Sequence, residues 1–164
     1  MKKLVIIFFG AAFFLSCSKS GTTEKKCPYT ESTTTASAGE IAYIQNYLST
    51  NGITTATQHS SGIFYEITAA GSGNTPALCS YCSVKYTGRL FNGTIFDQNL
   101  FGTTFTLGDL IVGWQKGLPL IKPNGTIRLY VPPSLGYGTA GSGSSVPPNA
   151  YLIFDIQLTA VAYQ

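Results

Sequence analysis

Residues 84–97 read VKYTGRLFNGTIFD, and the pattern in this stretch and the two residues before it decides the fold. Cys82, Val84, Tyr86 and Leu90 alternate with Ser83, Lys85, Thr87 and Arg89. A period of two describes a strand with one buried and one wet face. Asn92-Gly93 then supplies a residue pair suited to positive φ, the strongest short-range hairpin signal. The chain returns to set Phe96 and Asp97 beside the strand it has just left. An acid directly after a buried aromatic, opposite Tyr86, costs desolvation energy unless something uses it.

Toward the C-terminus, residues 104–107 read as a short strand. Gly108-Asp109 turns into a helix over 110–118, with Asp109 as its cap and an end near Gly117-Leu118-Pro119. Lys122-Pro123-Asn124-Gly125 is a tight turn, after which Ile127, Leu129 and Val131 alternate with Arg128 and Tyr130. Residues 132–149 form a Gly-, Pro- and Ser-rich loop of a length that is usually functional. The chain closes on a strand with Leu152, Phe154, Ile156 and Leu158 inward.

Toward the N-terminus, residues 63–69 (IFYEITA) read as a strand closed by Gly71-Ser72-Gly73. In residues 40–50 the apolar positions Ile41, Ile44, Tyr47 and Leu48 fall at helical spacing, and Asn51-Gly52 is a suitable stop. So short a helix is marginal alone and should dock on the domain, or on a second copy of the chain. About five strands with antiparallel signals and one or two short helices make an α+β fold: an antiparallel sheet curled around a short helix, with an N-terminal amphipathic helix.

The first residues are Met1-Lys2-Lys3, a run of about twelve apolar residues, and Ser16-Cys17. A spanning helix needs ~20 apolar residues, so this is a secretory signal. FLSC at 14–17 looks like a lipobox, with Phe14 where leucine is commoner, and makes Cys17 the acylated mature N-terminus. An ordinary signal peptide with a chance cysteine is the alternative. Residues 17–39 are poor in apolar groups and read as a lipid-anchored flexible tether. The expected organisation is a signal peptide at 1–16, the tether at 17–39, the helix and lead-in strand at 40–75, and the main domain at 76–164.

From Glu40 onward there are five basic and five acidic residues, so the formal +3 of the chain lies in the leader and tether. A neutral domain without a basic cluster argues against a nucleic-acid partner. His59, the one histidine, sits in a polar loop with no nucleophile beside it and no metal site to join. Low charge with 13% aromatic residues suits an apolar cleft and an ordinary β-rich core equally. Export permits a disulfide. Cys79 and Cys82 would point oppositely on a regular strand, so Cys27 with Cys79 is the better pair, leaving Cys82 as a buried thiol.

Five pieces in order resemble a known family: YTGRLFNGTIFD at 86–97, FTLG at 105–108, IVGWQKGL at 111–118, LGYG at 135–138 and PPNAYLIFDIQL at 147–158. Together they are similar to the FKBP-type peptidyl-prolyl isomerases, the immunophilins that bind the macrolide tacrolimus. The resemblance covers residues 76–164. It implies a cofactor-free, metal-free isomerase acting on proline-containing or unfolded polypeptides, with tacrolimus-class macrolides as possible ligands. Tyr86, Phe96, Asp97, Ile111, Trp114, Tyr137 and Phe154 then take the catalytic positions, Trp114 as the pocket floor and Tyr137 as a hydroxyl donor. Phe105 and Val146 take substrate-binding positions. The family also makes a homodimer through residues 40–50 an option. Separately from this resemblance, the lipobox with Ser18 after it leads to the expectation of a lipid-anchored cell-envelope protein, on the outer membrane and facing the periplasm.

Two departures stand out. Thr103 occupies a position where the family often has a pocket aromatic, with Phe101 available to compensate, and the loop at 138–148 carries serines where relatives carry bulkier groups. Taken singly, Tyr86, Phe96, Trp114 and Phe154 read as core and Asp97 equally as a turn cap. The joint spacing of Trp114, Tyr137 and Phe154, which a core does not need, reverses this. A non-catalytic binding or chaperone module, or an envelope-assembly lipoprotein, is the alternative to the enzyme.

Overall fold

The computed structural model describes residues 26–163, so the expected signal peptide at 1–16 and the lipidation site Cys17 lie outside the described residues. The elements in chain order are α1 (Ala38–Thr50), β1 (Thr57–Gln58), β2 (Phe64–Ala69), β3 (Tyr81–Leu90), β4 (Ile95–Thr106), α2 (Val112–Gly117), β5 (Gly125–Val131) and β6 (Leu152–Ala162). They build one sheet in the order β1-β2-β5-β6-β3-β4, with every pairing antiparallel. The sheet has six strands rather than five because the two residues of β1 pair with β2, a strand too short to leave a period in sequence.

Alternation sorts the side chains onto two faces. Ile127, Leu129 and Val131 of β5 join Leu152, Phe154, Ile156 and Leu158 of β6 in a core shared with Trp114 and Leu118. The intervening Tyr130 and Ile153 point the other way and pack with Phe64 beneath Ile44 and Leu48 of α1. Helix α1 therefore docks on its own sheet. Its first turn is closed by a capping box, in which Ser37 accepts from the Glu40 N–H and the Glu40 carboxylate accepts from the Ser37 N–H. Burying two large aliphatic side chains contributes roughly 1.5–3 kcal/mol each, which outweighs the marginal stability of a lone thirteen-residue helix.

Four local readings change. At the hairpin tip only Gly93 takes a positive φ, of 89°, while Asn92 does not. The Gly93 N–H donates to the Leu90 carbonyl and the Thr94 N–H to Asn92 Oδ1, so Phe91-Asn92 form the turn and Gly93 the left-handed exit. Asp109 does not cap α2. A 3-10 turn over Leu107–Asp109 precedes the helix, Ile111 occupies the cap position, and Asp109 Oδ1 accepts instead from Tyr29 Oη at 2.6 Å. The strand read at 104–107 is the end of the twelve-residue β4, which stops at Thr106, with Leu107 already in the 3-10 turn.

The fourth concerns the last part of the tether. Residues 27–37 lie along the domain, held by the disulfide between Cys27 and Cys79, by Tyr29 on Asp109, by Glu31 on Lys116 at 2.8 Å and by the Ala36 N–H on the Ser61 carbonyl. Cys79 sits in a turn before β3, not on the strand, and its Cα is 5.7 Å from that of Cys27.

Cys82 is fully buried, and burial pushes its thiol up to about 11. A raised pKa favours the neutral thiol in the fold. This contribution is complete below the unfolded value of 9.0 and is lost as pH rises through the folded value. Iodoacetamide at about pH 8 should leave the native protein unlabelled at Cys82 and label it fully in denaturant. Rapid labelling of the native chain would contradict this.

Candidate functional site

Strands β3, β4 and β6, helix α2 and the long loop before β6 converge on one cleft of about 230 Å³. It is lined by Tyr86, Asp97, Phe105, Leu110, Ile111, Trp114, Tyr137 and Phe154. The floor is the Trp114 indole, 4% exposed, and three rings meet it nearly edge-on. Tyr86 lies 5.3 Å away at 84°, Phe154 5.3 Å at 86° and Phe105 6.5 Å at 88°. Edge-to-face contacts of this kind fix ring orientation and add about 0.5–1.5 kcal/mol each beyond area burial.

Two glycines allow this arrangement. A Cβ on Gly88 would stand 2.7 Å from Phe96 Cζ and 3.0 Å from Phe154 Cε1, so the bare backbone of β3 leaves room for both rings. A Cβ on Gly113 would stand 2.6 Å from Val131 Cγ1, so the glycine lets α2 settle onto β5 and bring Trp114 down to the floor. Ahead of α2, the Gln115 side-chain amide donates to the carbonyls of Gly108 (3.1 Å) and Leu110 (2.7 Å), fixing the turn that presents Leu110 and Ile111.

The polar groups stand at one side of this apolar box. The Tyr86 hydroxyl donates to Asp97 Oδ2 at 2.7 Å, across the β3–β4 pair, where Asp97 sits opposite Gly88. Burial first, then the bond to Asp97 and its charge, holds the Tyr86 hydroxyl well above the usual phenol range. Tyr137 is also pushed up, by burial and then by the Asp97 charge. Both phenols are therefore donors at neutral pH. Both line the cleft, but the Tyr86 hydroxyl is committed to Asp97.

Of the expected site residues, Tyr86, Asp97, Phe105, Ile111, Trp114, Tyr137 and Phe154 share the cleft. Phe96 stands behind it, edge-on to Phe154 at 5.6 Å and 88°. Val146 is not a lining residue. It is 3% exposed and bridges Ser142 across a small hairpin in the loop. Phe101 does not replace the aromatic missing at Thr103. A bulge in β4 opposite Lys85 turns it fully into solvent, and Asn99 Oδ1 holds the bulge by accepting from the N–H groups of Phe101 and Gly102. Leu110 was missed; its signal was an apolar side chain one turn before Trp114. His59 does not line the cleft, and its Nδ1 is taken by the Ser61 N–H and hydroxyl.

Comparison with known proteins gives one consistent result. Residues 73–159 match the family described as FKBP-type peptidyl-prolyl cis-trans isomerase. A probable FKBP-type peptidyl-prolyl cis-trans isomerase of Haemophilus influenzae is 42% identical over 104 residues, 62% of this chain and 43% of that protein. FkpA of Escherichia coli is 36% identical over 122 residues, 73% of this chain and 44% of that protein. The chain thus spans less than half the length of these relatives. Among solved structures, E. coli FkpA superposes with a TM-score of 0.69 at 34% identity, over 77% of this chain and 61% of that one. A peptidyl-prolyl cis-trans isomerase of Pseudomonas syringae superposes with a TM-score of 0.67 at 27% identity, over 80% of this chain and 99% of that one.

Proposed function

The chain belongs to the FKBP-type peptidyl-prolyl cis-trans isomerases, and from that premise we propose that it accelerates cis–trans exchange of X–Pro bonds in polypeptides gripped by the aromatic cleft. The observation that carries this reading is the convergence of Tyr86, Asp97, Trp114, Tyr137 and Phe154 on one small, largely aromatic cleft from five separate segments. A core needs no such opening. Rotation about an X–Pro bond is opposed by ~18–20 kcal/mol of amide resonance. Water stabilises the planar, charge-separated amide, so an apolar box that strips water from the imide carbonyl favours the twisted state. The proline ring fits the floor formed by Trp114. Tyr137 donates to a neighbouring carbonyl, and the Asp97 carboxylate, oriented by Tyr86, faces the developing change in polarity. No nucleophile or covalent step is needed.

The clients are exported polypeptides, met at the envelope where Cys17 anchors the chain through acyl groups, facing the periplasm. The leader pattern and the disulfide between Cys27 and Cys79, which suits an oxidising compartment, support this. Mass spectrometry of the mature N-terminus tests it: an unmodified Cys17, or cleavage elsewhere, removes the anchor.

The activity is tested by measuring prolyl exchange in a proline tetrapeptide with residues 18–164, with and without tacrolimus. Tyr137→Phe should keep the fold and slow exchange several-fold, the worth of one neutral hydrogen bond at roughly 0.5–1.5 kcal/mol. Asp97→Val should cost at least as much, since it removes the polar group facing the imide and leaves the Tyr86 hydroxyl unpaired. Unchanged rates in both variants, with affinity intact, would refute the assignment. Binding of proline peptides without acceleration in the wild type would identify a binding module instead.

A further inference from the structure

The loop that carries Tyr137 is held from outside the sheet by a residue of the N-terminal helix. Glu40, in the first turn of α1, accepts from the Ser134 N–H at 2.9 Å (Oε1) and from the Ser134 hydroxyl at 3.0 Å (Oε2), across ninety-four positions of sequence. The same carboxylate closes the α1 capping box, accepting from the Ser37 N–H at 2.8 Å and hydroxyl at 2.9 Å. Ser134 lies in the 3-10 turn Pro133–Leu135, whose other two residues are buried. Immediately after it, the N–H groups of Gly136 (3.0 Å) and Gly138 (2.9 Å) both return to the Pro133 carbonyl, bracketing Tyr137. The turn is thus gripped on its inner side by Leu135 in the core and on its outer side by Glu40. Beyond it the loop contains Gly138, Gly141 and Gly143, all at positive φ, which give it little stiffness of its own.

We propose that Glu40 is a positioning residue for the cleft: it clamps the Pro133–Leu135 turn so that the Tyr137 hydroxyl is held over the bound X–Pro segment. Helix α1 then serves the site as well as the stability of the sheet. Glu40 touches no substrate and acts through Tyr137. The role rests on the isomerase reading for its kinetic readout only.

The experiment uses the full chain as wild type, Glu40→Ala, Glu40→Gln, Ser37→Ala, and Glu40→Ala combined with Tyr137→Phe. Prolyl exchange in a proline tetrapeptide, affinity for that peptide and melting temperature are measured for each. Glu40→Ala should slow exchange by about three- to tenfold, the effect of loosening one hydrogen-bonded donor. Glu40→Gln should recover most of that, because its amide oxygen still accepts from the Ser134 N–H. Ser37→Ala removes a cap partner but no bond to Ser134, so it should lower the melting temperature and leave the rate unchanged. In the Tyr137→Phe background Glu40→Ala should cost less than about twofold further, because residues acting as a unit are non-additive. The proposal is overturned if Glu40→Ala merely matches Ser37→Ala, or if its full rate loss persists without the Tyr137 hydroxyl. A wild type that does not accelerate exchange defeats the isomerase reading by itself. The same pattern across the variants in peptide affinity then decides the role of Glu40, and its absence there overturns it.

Discussion

Trp114→Ala should lower the melting temperature by roughly 10–20 °C and abolish binding of a proline tetrapeptide together with catalysis. The indole is 4% exposed and is the shared neighbour of Tyr86, Phe105 and Phe154. Truncating a buried Trp costs ~3–5 kcal/mol. Over a domain of this size each kcal/mol moves the midpoint by about 3–4 °C. Function should suffer separately from stability, because the variant removes the largest apolar surface lining the cleft. Trp114→Phe separates the two: it restores an apolar floor of lesser depth, so melting should recover by more than half while peptide affinity stays below wild type. Calorimetry and peptide titration of both variants check this. An alanine variant that melts within about 2 °C of wild type and still binds the peptide would falsify the placement of the indole.

The second large effect is loss of the disulfide. Cys27 and Cys79 close a loop with a sequence separation of 52, and in the chain-entropy account such a cross-link is worth about 4 kcal/mol by restricting the unfolded chain. Replacing both cysteines by serine should therefore bring the denaturant midpoint down markedly. Residues 27–37 should then become sensitive to protease, because Tyr29 on Asp109 and Glu31 on Lys116 are surface contacts too weak to hold the segment unaided. Isomerisation per folded molecule should change little, since Leu110, Ile111 and Trp114 stay held by Gln115 and by packing on β5. Chemical denaturation with and without reductant, followed by limited proteolysis, gives the measurement. A double-serine variant as stable as wild type would show that the cross-link adds nothing to the fold.

Much of the site was legible because its residues lie on elements whose periods are local. The alternation through Val84 and Tyr86, and again through Phe154 and Ile156, states which side of each strand is buried without reference to any other strand. The helix carrying Trp114 could be read from the turn before it and the Gly117-Leu118-Pro119 stop after it, though its start could not. Asp109 has the side chain of a cap, but Tyr29, eighty positions earlier, takes its carboxylate, and the 3-10 turn delays the helix to Val112. Leu110 and Val146 show the same limit from the other side. Both are apolar residues near a motif, yet one lines the cleft and the other is packed away in a loop hairpin. That choice depends on where neighbouring elements cross.

By itself, then, the sequence determined β2, β3, β5 and β6 with their inward faces, the two ends of β4, the two helices, the long loop and the order of motifs that marks the family, because each depends on residues a few positions apart. Tertiary structure alone decided the rest. It set the strand order that brings β6 between β5 and β3 and the bulge that sends Phe101 into solvent. It also made the second core under α1 and the bond from Glu40 to Ser134. The strand order, the second core and the Glu40 bond join groups far apart in the chain, and the bulge, though locally held by Asn99, is set by the register of β4 on β3. These energies exist only once the sheet has closed enough to bring the partners within contact distance.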